Sequence, residues 1–80
     1  MFYDGYYYPP VNGYSGMRRV TIEEAMHTAL QQVPGQVIKI ELDTEHGIQV
    51  YEVDIVTAQG VKYEVNVAVD TGEIVNIELD

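Results

Sequence analysis

The spacing of apolar residues changes period at Pro34-Gly35, and few folds accommodate that change. Before it, Ile22, Ala25, Met26, Ala29, Leu30 and Val33 recur at intervals of three and four, the repeat of one helix face. Thr21-Ile22-Glu23-Glu24 forms a capping box, in which Thr21 accepts from the backbone three residues on and Glu24 reaches back. Glu23 and Glu24 also lie where the helix dipole favours negative charge, and Pro34-Gly35 ends the run. The spacing predicts a helix from Ile22 to Val33.

Beyond Gly35 the period is two. Ile38, Ile40 and Leu42 alternate with Lys39, Glu41 and Asp43, and the turn Thr44-Glu45-His46-Gly47 follows. Tyr51, Val53 and Ile55 alternate with Glu52 and Asp54, up to a turn at Ala58-Gln59-Gly60. Tyr63, Val65, Val67 and Val69 alternate with Lys62, Glu64 and Asn66, up to Asp70-Thr71-Gly72. Val75, Ile77 and Leu79 alternate with Asn76 and Glu78. Such alternation marks strands with one face buried, and short turns make neighbours antiparallel. The expected fold class is α+β: one N-terminal helix packed on one face of a four-stranded antiparallel meander sheet. A helix of this length spans roughly 18 Å at 1.5 Å per residue, too little to cover four strands. Apolar sheet surface is therefore expected to remain for an aromatic arm, a second copy or a partner. The opposite, carboxylate-rich face is expected to lie in water.

Eighty residues hold one domain, and 46% hydrophobic residues allow a small core. With no cysteine, the chain has neither disulfide nor thiolate, so packing alone must hold it. Thirteen acidic residues against four basic give a net charge of −9. That balance disfavours nucleic acid and anionic membranes and favours basic surfaces or cations; its plain alternative is solubility. No apolar run reaches the roughly 18 residues of a membrane span. Met1-Phe2-Tyr3-Asp4-Gly5 lacks the features of a signal peptide, so the chain as written is expected in the cytoplasm or a spore.

Residues 1–19 differ from the rest. Tyr3, Tyr6, Tyr7, Tyr8 and Tyr14 are interleaved with Gly5, Gly13, Gly16 and Pro9-Pro10, with no helical or strand period. They read as a flexible Tyr/Gly/Pro-rich arm ahead of a domain at 20–80. Tyrosine pairs a large apolar face with a hydroxyl and suits contact surfaces, so Tyr6, Tyr7 and Tyr8 are candidate partner contacts; a passive tail is the alternative. Arg18-Arg19 is too short a basic run for a nucleic-acid patch.

From Thr21 onward the chain resembles a PepSY domain. The shared marks are Ala25 and Ala29-Leu30 in a capped helix, Pro34-Gly35, the strand Val37-Ile38-Lys39-Ile40-Glu41-Leu42, Tyr51-Glu52-Val53, Tyr63-Glu64-Val65 and Thr71-Gly72-Glu73-Ile74-Val75. Ala68 stands where many members carry Asp, three residues before the Thr-Gly pair. Such domains occur in propeptides of thermolysin-type metallopeptidases and in bacterial cell-envelope and spore-germination proteins, and are usually extracytoplasmic. The resemblance implies a non-catalytic protein-binding role, such as regulating or inhibiting a peptidase, and carries no ligand site.

The residues themselves point away from catalysis. His27 lies one turn from Glu23 on the helix, His46 lies in a polar turn, and Ser15 has no base beside it. No phosphate loop or EF-hand spacing occurs, so no cofactor or metal is expected. Glu41, Asp43, Glu52, Asp54 and Glu64 should share one sheet face. Like charges across strands are mildly destabilising, so this cluster is the candidate docking site for a basic protein surface; a solvated face is the bland alternative, and a loose divalent-cation site a third. A second functional class stays open: a structural protein of a spore or surface layer, self-associating, for instance as a homodimer, through its tyrosine-rich arm.

Overall fold

The computed structural model describes residues 19–80; all of the expected arm but Arg19, including its tyrosines, lies outside the described residues. Helix α1 (Ile22–Gln32) is followed by strands β1 (Gln36–Glu45), β2 (Ile48–Val56), β3 (Lys62–Ala68) and β4 (Ile74–Leu79). They form an antiparallel sheet in the order β1-β2-β3-β4, as expected.

The capping box is formed. Thr21 Oγ1 accepts the Glu24 N–H at 3.1 Å, and Glu24 Oε1 accepts the Thr21 N–H at 2.8 Å. The Val33 N–H bonds the Ala29 carbonyl and closes the helix one residue earlier than the periodicity predicts. Gly35 is required by closeness, because a Cβ there would run into the Val56 carbonyl oxygen and lie 2.8 Å from Ile55 Cγ2. The backbone thus passes directly over the end of β2, which brings the helix down onto the sheet. At His46-Gly47, φ values of 53° and 81° give the left-handed pair that joins tightly twisted hairpin strands.

Ala25, Ala29 and Val33 meet Val53, Ile55, Val65 and Val67, with Val20 completing the buried cluster. Small helix residues let the backbone sit close to the sheet, and the central strands supply the volume. Full burial of a side chain such as Ile55 is worth about 1.5–3 kcal/mol. Three cross-strand rows line this face: Leu42-Tyr51-Val67-Ile74, Ile40-Val53-Val65-Ile77 and Val37-Ile55-Tyr63-Leu79. The helix packs against β2 and β3, so both edges stay open: Leu42 is 57% exposed and Leu79 69%.

Besides these edge residues, Ile22 of the expected helix stripe is half exposed, and Ile38 and Val75 are turned out of the core by slips in register. The ladder slips between Val37 and Lys39, leaving Ile38 as an extra residue, half exposed, while Val37 joins the core. It slips again between Asn66 and Val67, so Ile74 packs inward and Val75 stays exposed. A bulge opposes two residues to one and turns the extra side chain away. Both bulges fall on edge strands, where they also disturb the open row of backbone groups.

Candidate functional site

Strict alternation places Glu41, Asp43, Glu52, Asp54 and Glu64 on the face turned away from the helix, as the sequence predicts. The register orders them. One row runs Lys39-Asp54-Glu64-Glu78, the next Glu41-Glu52-Asn66-Asn76, and a third Asp43-Val50-Ala68. Glu41 and Glu52 are therefore direct cross-strand partners, as are Asp54 and Glu64. Asp43 lies diagonal to Glu52 and shares a hydrogen bond with it.

That bond needs a proton between two carboxyl groups, and Glu52 carries it. Its pKa is pushed up to about 7, first by the bond to Asp43, then by burial and by the charges of Glu64, Asp43 and Glu45. The same bond, with the Thr44 N–H at 2.7 Å, holds Asp43 below its ordinary value. Burial raises Glu64. Among the described residues, positive charge sits at the margins of this region: Lys39 meets Glu41 at 3.5 Å, and Lys62 reaches Asp80 at 2.9 Å and Asp54 at 4.0 Å. The bond to Asp80 raises the Lys62 pKa.

The face is not uniformly in water, which corrects the sequence-based expectation. Asp54 is only 8% exposed, and Asn66 and Val50 have no exposed surface. All three sit on the two central strands, flanked on both sides. Asp54 lies beside Lys62, whereas Glu41 and Asp43 are exposed and Glu52 and Glu64 half-buried. Asn66 donates from Nδ2 to Asn76 Oδ1 at 2.6 Å, and Asn76 donates to Glu78 at 3.0 Å. The Asn66 Oδ1 is buried and has no hydrogen-bond partner among the described residues. No sequence signal marks this asparagine pair, because it depends on the register of β3 against β4.

Carboxylate oxygens of Asp43, Glu45 and Glu52 converge to within 4.8 Å. This all-oxygen set has the chemistry of hard divalent cations. His46 stands exposed in the β1–β2 turn. Among the described residues no helix is long and apolar enough to cross a membrane.

Comparison with known proteins gives two matches. The family model PepSY, described as peptidase propeptide and YPEB domain, matches residues 19–78. The uncharacterised protein YkoJ of Bacillus subtilis (strain 168) is 38% identical over 61 residues, which cover 76% of this chain and 36% of that relative. The chain thus spans about a third of that relative's length. No solved structure matches.

Proposed function

We propose that this chain, which belongs to the PepSY family of peptidase-propeptide and YPEB domains, is a non-catalytic module that binds another protein through its carboxylate face. One observation carries the reading. Glu41, Asp43, Glu52, Asp54 and Glu64 share one face of the sheet, with Asp54 directly opposite Glu64 and Asp43 close enough to Glu52 for the two to share a hydrogen bond. Like charges so placed weaken a sheet. Among the described residues, Lys39 and Lys62 offer only a partial counter-charge at the margins. A basic protein surface would relieve the repulsion and, at net charge −9, would be drawn in over a distance.

The partner class that the family points to is a peptidase, held by its propeptide-like module. Thermolysin serves as the direct probe, in a peptide-hydrolysis assay with increasing amounts of the full chain. A saturable slowing that the triple variant Glu41→Gln/Glu52→Gln/Glu64→Gln fails to produce supports both the partner class and the face. Equal slowing by that variant removes the face from the reading, and no slowing by either protein removes this peptidase. The remaining reading, self-association through the arm, predicts that a chain lacking residues 1–16 elutes later from a sizing column by more than the lost mass explains.

A further inference from the structure

The two edges of the sheet are built differently. Among the described residues, no strand pairs with the outer side of β1 or of β4. On β1, Thr44 pairs with Gln49, whose carbonyl turns away to accept the Val69 N–H at 3.0 Å, so Thr44 also turns its backbone groups outward. That outward N–H is already taken by Asp43 Oδ1 at 2.7 Å. Lys39 stands on the same edge, half exposed beside the bulge at Ile38. A charged lysine, a bulge and a satisfied donor all keep a further strand off an edge.

On β4 the bulge at Val75 disturbs only the start of the strand. The Asp80 N–H bonds the Lys62 carbonyl at 2.9 Å, so Asn76, Glu78 and Asp80 face β3. Ile77 and Leu79 therefore turn their N–H and carbonyl groups to the open side, where no described group meets them. Their side chains end two apolar rows and stay in water, Ile77 at 42% and Leu79 at 69% exposure. We propose that the outer edge of β4 takes up an antiparallel strand from a partner protein, one in which basic residues alternate with apolar ones.

The chemistry of β4 selects that strand. Backbone groups of Ile77 and Leu79 supply the ladder, and the residues paired with them fall on the helix side, where apolar side chains lengthen the two rows. The residue between them falls beside Glu78, on the other face. Glu78 is exposed and ends the run Asp54-Glu64-Glu78, and Asn76 donates to its carboxylate at 3.0 Å. Opposite charge is favoured at that place, and like charge is not. A second copy of the chain fits it poorly. Its β1 edge would bring Glu41 and Asp43 against a single Lys39, its β4 edge would bring Glu78 and Asp80, and each copy carries a net charge of −9. The proposal rests on the function above only in taking the chain to bind a protein, and its test leaves Glu41, Glu52 and Glu64 in place, so either can fail alone.

The probe is an end-blocked heptapeptide, Lys-Val-Lys-Ile-Lys-Val-Lys, added to the isotopically enriched full chain and followed by amide shifts and hydrogen exchange. The expected result is saturable shifts centred on Ile77, Glu78 and Leu79, slower exchange of the Ile77 and Leu79 amides, and no change at Leu42. N-methylation of the peptide's apolar residues, whose backbone groups face β4 in an antiparallel pair, should abolish binding, and N-methylation of its central lysines should not. Glu78→Lys, at an exposed position, should weaken binding about tenfold. Equal binding by a peptide with its lysines and apolar residues in separate blocks, binding that survives methylation of the apolar residues, unchanged affinity of Glu78→Lys, shifts centred on Leu42 or Glu52, or no shifts would overturn the proposal. So would concentration-dependent shifts at Ile77 and Leu79 in the chain alone, because the occupant would then be a second copy.

Discussion

On the helix side of the sheet, Val53, Ile55, Val65 and Val67 lose all contact with water against Ala25, Ala29 and Val33. On the other side of the same strands, Glu41 opposes Glu52, Asp54 opposes Glu64, and the Asn66 Oδ1 has no partner among the described residues. The first face supplies the free energy of folding. The second spends some of it on repulsion, unfavourable on its own terms. Neighbouring residues of one strand thus serve opposite ends, and the alternation of the pleat keeps those ends apart. Substitutions on the two faces should therefore differ in sign as well as size.

The largest effect belongs to the helix face. Ile55→Ala should cost about 2–5 kcal/mol in urea unfolding, because it leaves a cavity under the helix. A loss comparable to that of an exposed residue would mean that the helix does not seal this face. Gly35→Ala forces a methyl group against the Val56 carbonyl and the Ile55 side chain, and should cost about 1–3 kcal/mol. Thr21→Ala removes half of the capping box and should cost about 1 kcal/mol, measured the same way. Val75→Thr, at the exposed bulge, should stay within about 0.5 kcal/mol. Had Val75 belonged to the core as simple alternation implies, it would cost more.

That last contrast marks what could be read from the residues alone. The helix was legible because its cap and apolar stripe are local, contained within Thr21 to Val33. The strand order was legible because each turn is short. The bulges were not. Val37-Ile38 and Ile74-Val75 are adjacent pairs of similar aliphatic residues, and only pairing with the neighbouring strand decides which member faces inward. The candidate site was legible in outline for the same reason that the strands were: alternation put its five carboxylates on one face. Its energetics were not, because the proton on Glu52 depends on a diagonal meeting with Asp43, which only the register of β1 against β2 decides.

The two faces should also differ in response to pH. Glu52 is raised from 4.5 to about 7, so the folded chain holds a proton that the unfolded chain releases between those values. Its contribution is fully present below about pH 4.5 and is lost as pH rises through 7. Asp43, lowered from 3.8, acts in the opposite sense and loses its contribution as pH falls below that value. Together the pair stabilises the fold most near pH 4. Glu52→Gln, which cannot ionise, should flatten the decline between pH 5 and 8 in urea midpoints, and an unchanged slope would locate the proton elsewhere.

The division of labour between the faces is tested most directly by the urea midpoint of Glu41→Gln/Glu52→Gln/Glu64→Gln at pH 8, where Glu52 is mostly ionised in the parent chain. We expect the midpoint to equal or exceed that of the parent, because repulsion is removed while the helix face is untouched. A clear fall would show that these carboxylates hold the sheet together, and would contradict the assignment of this face to binding.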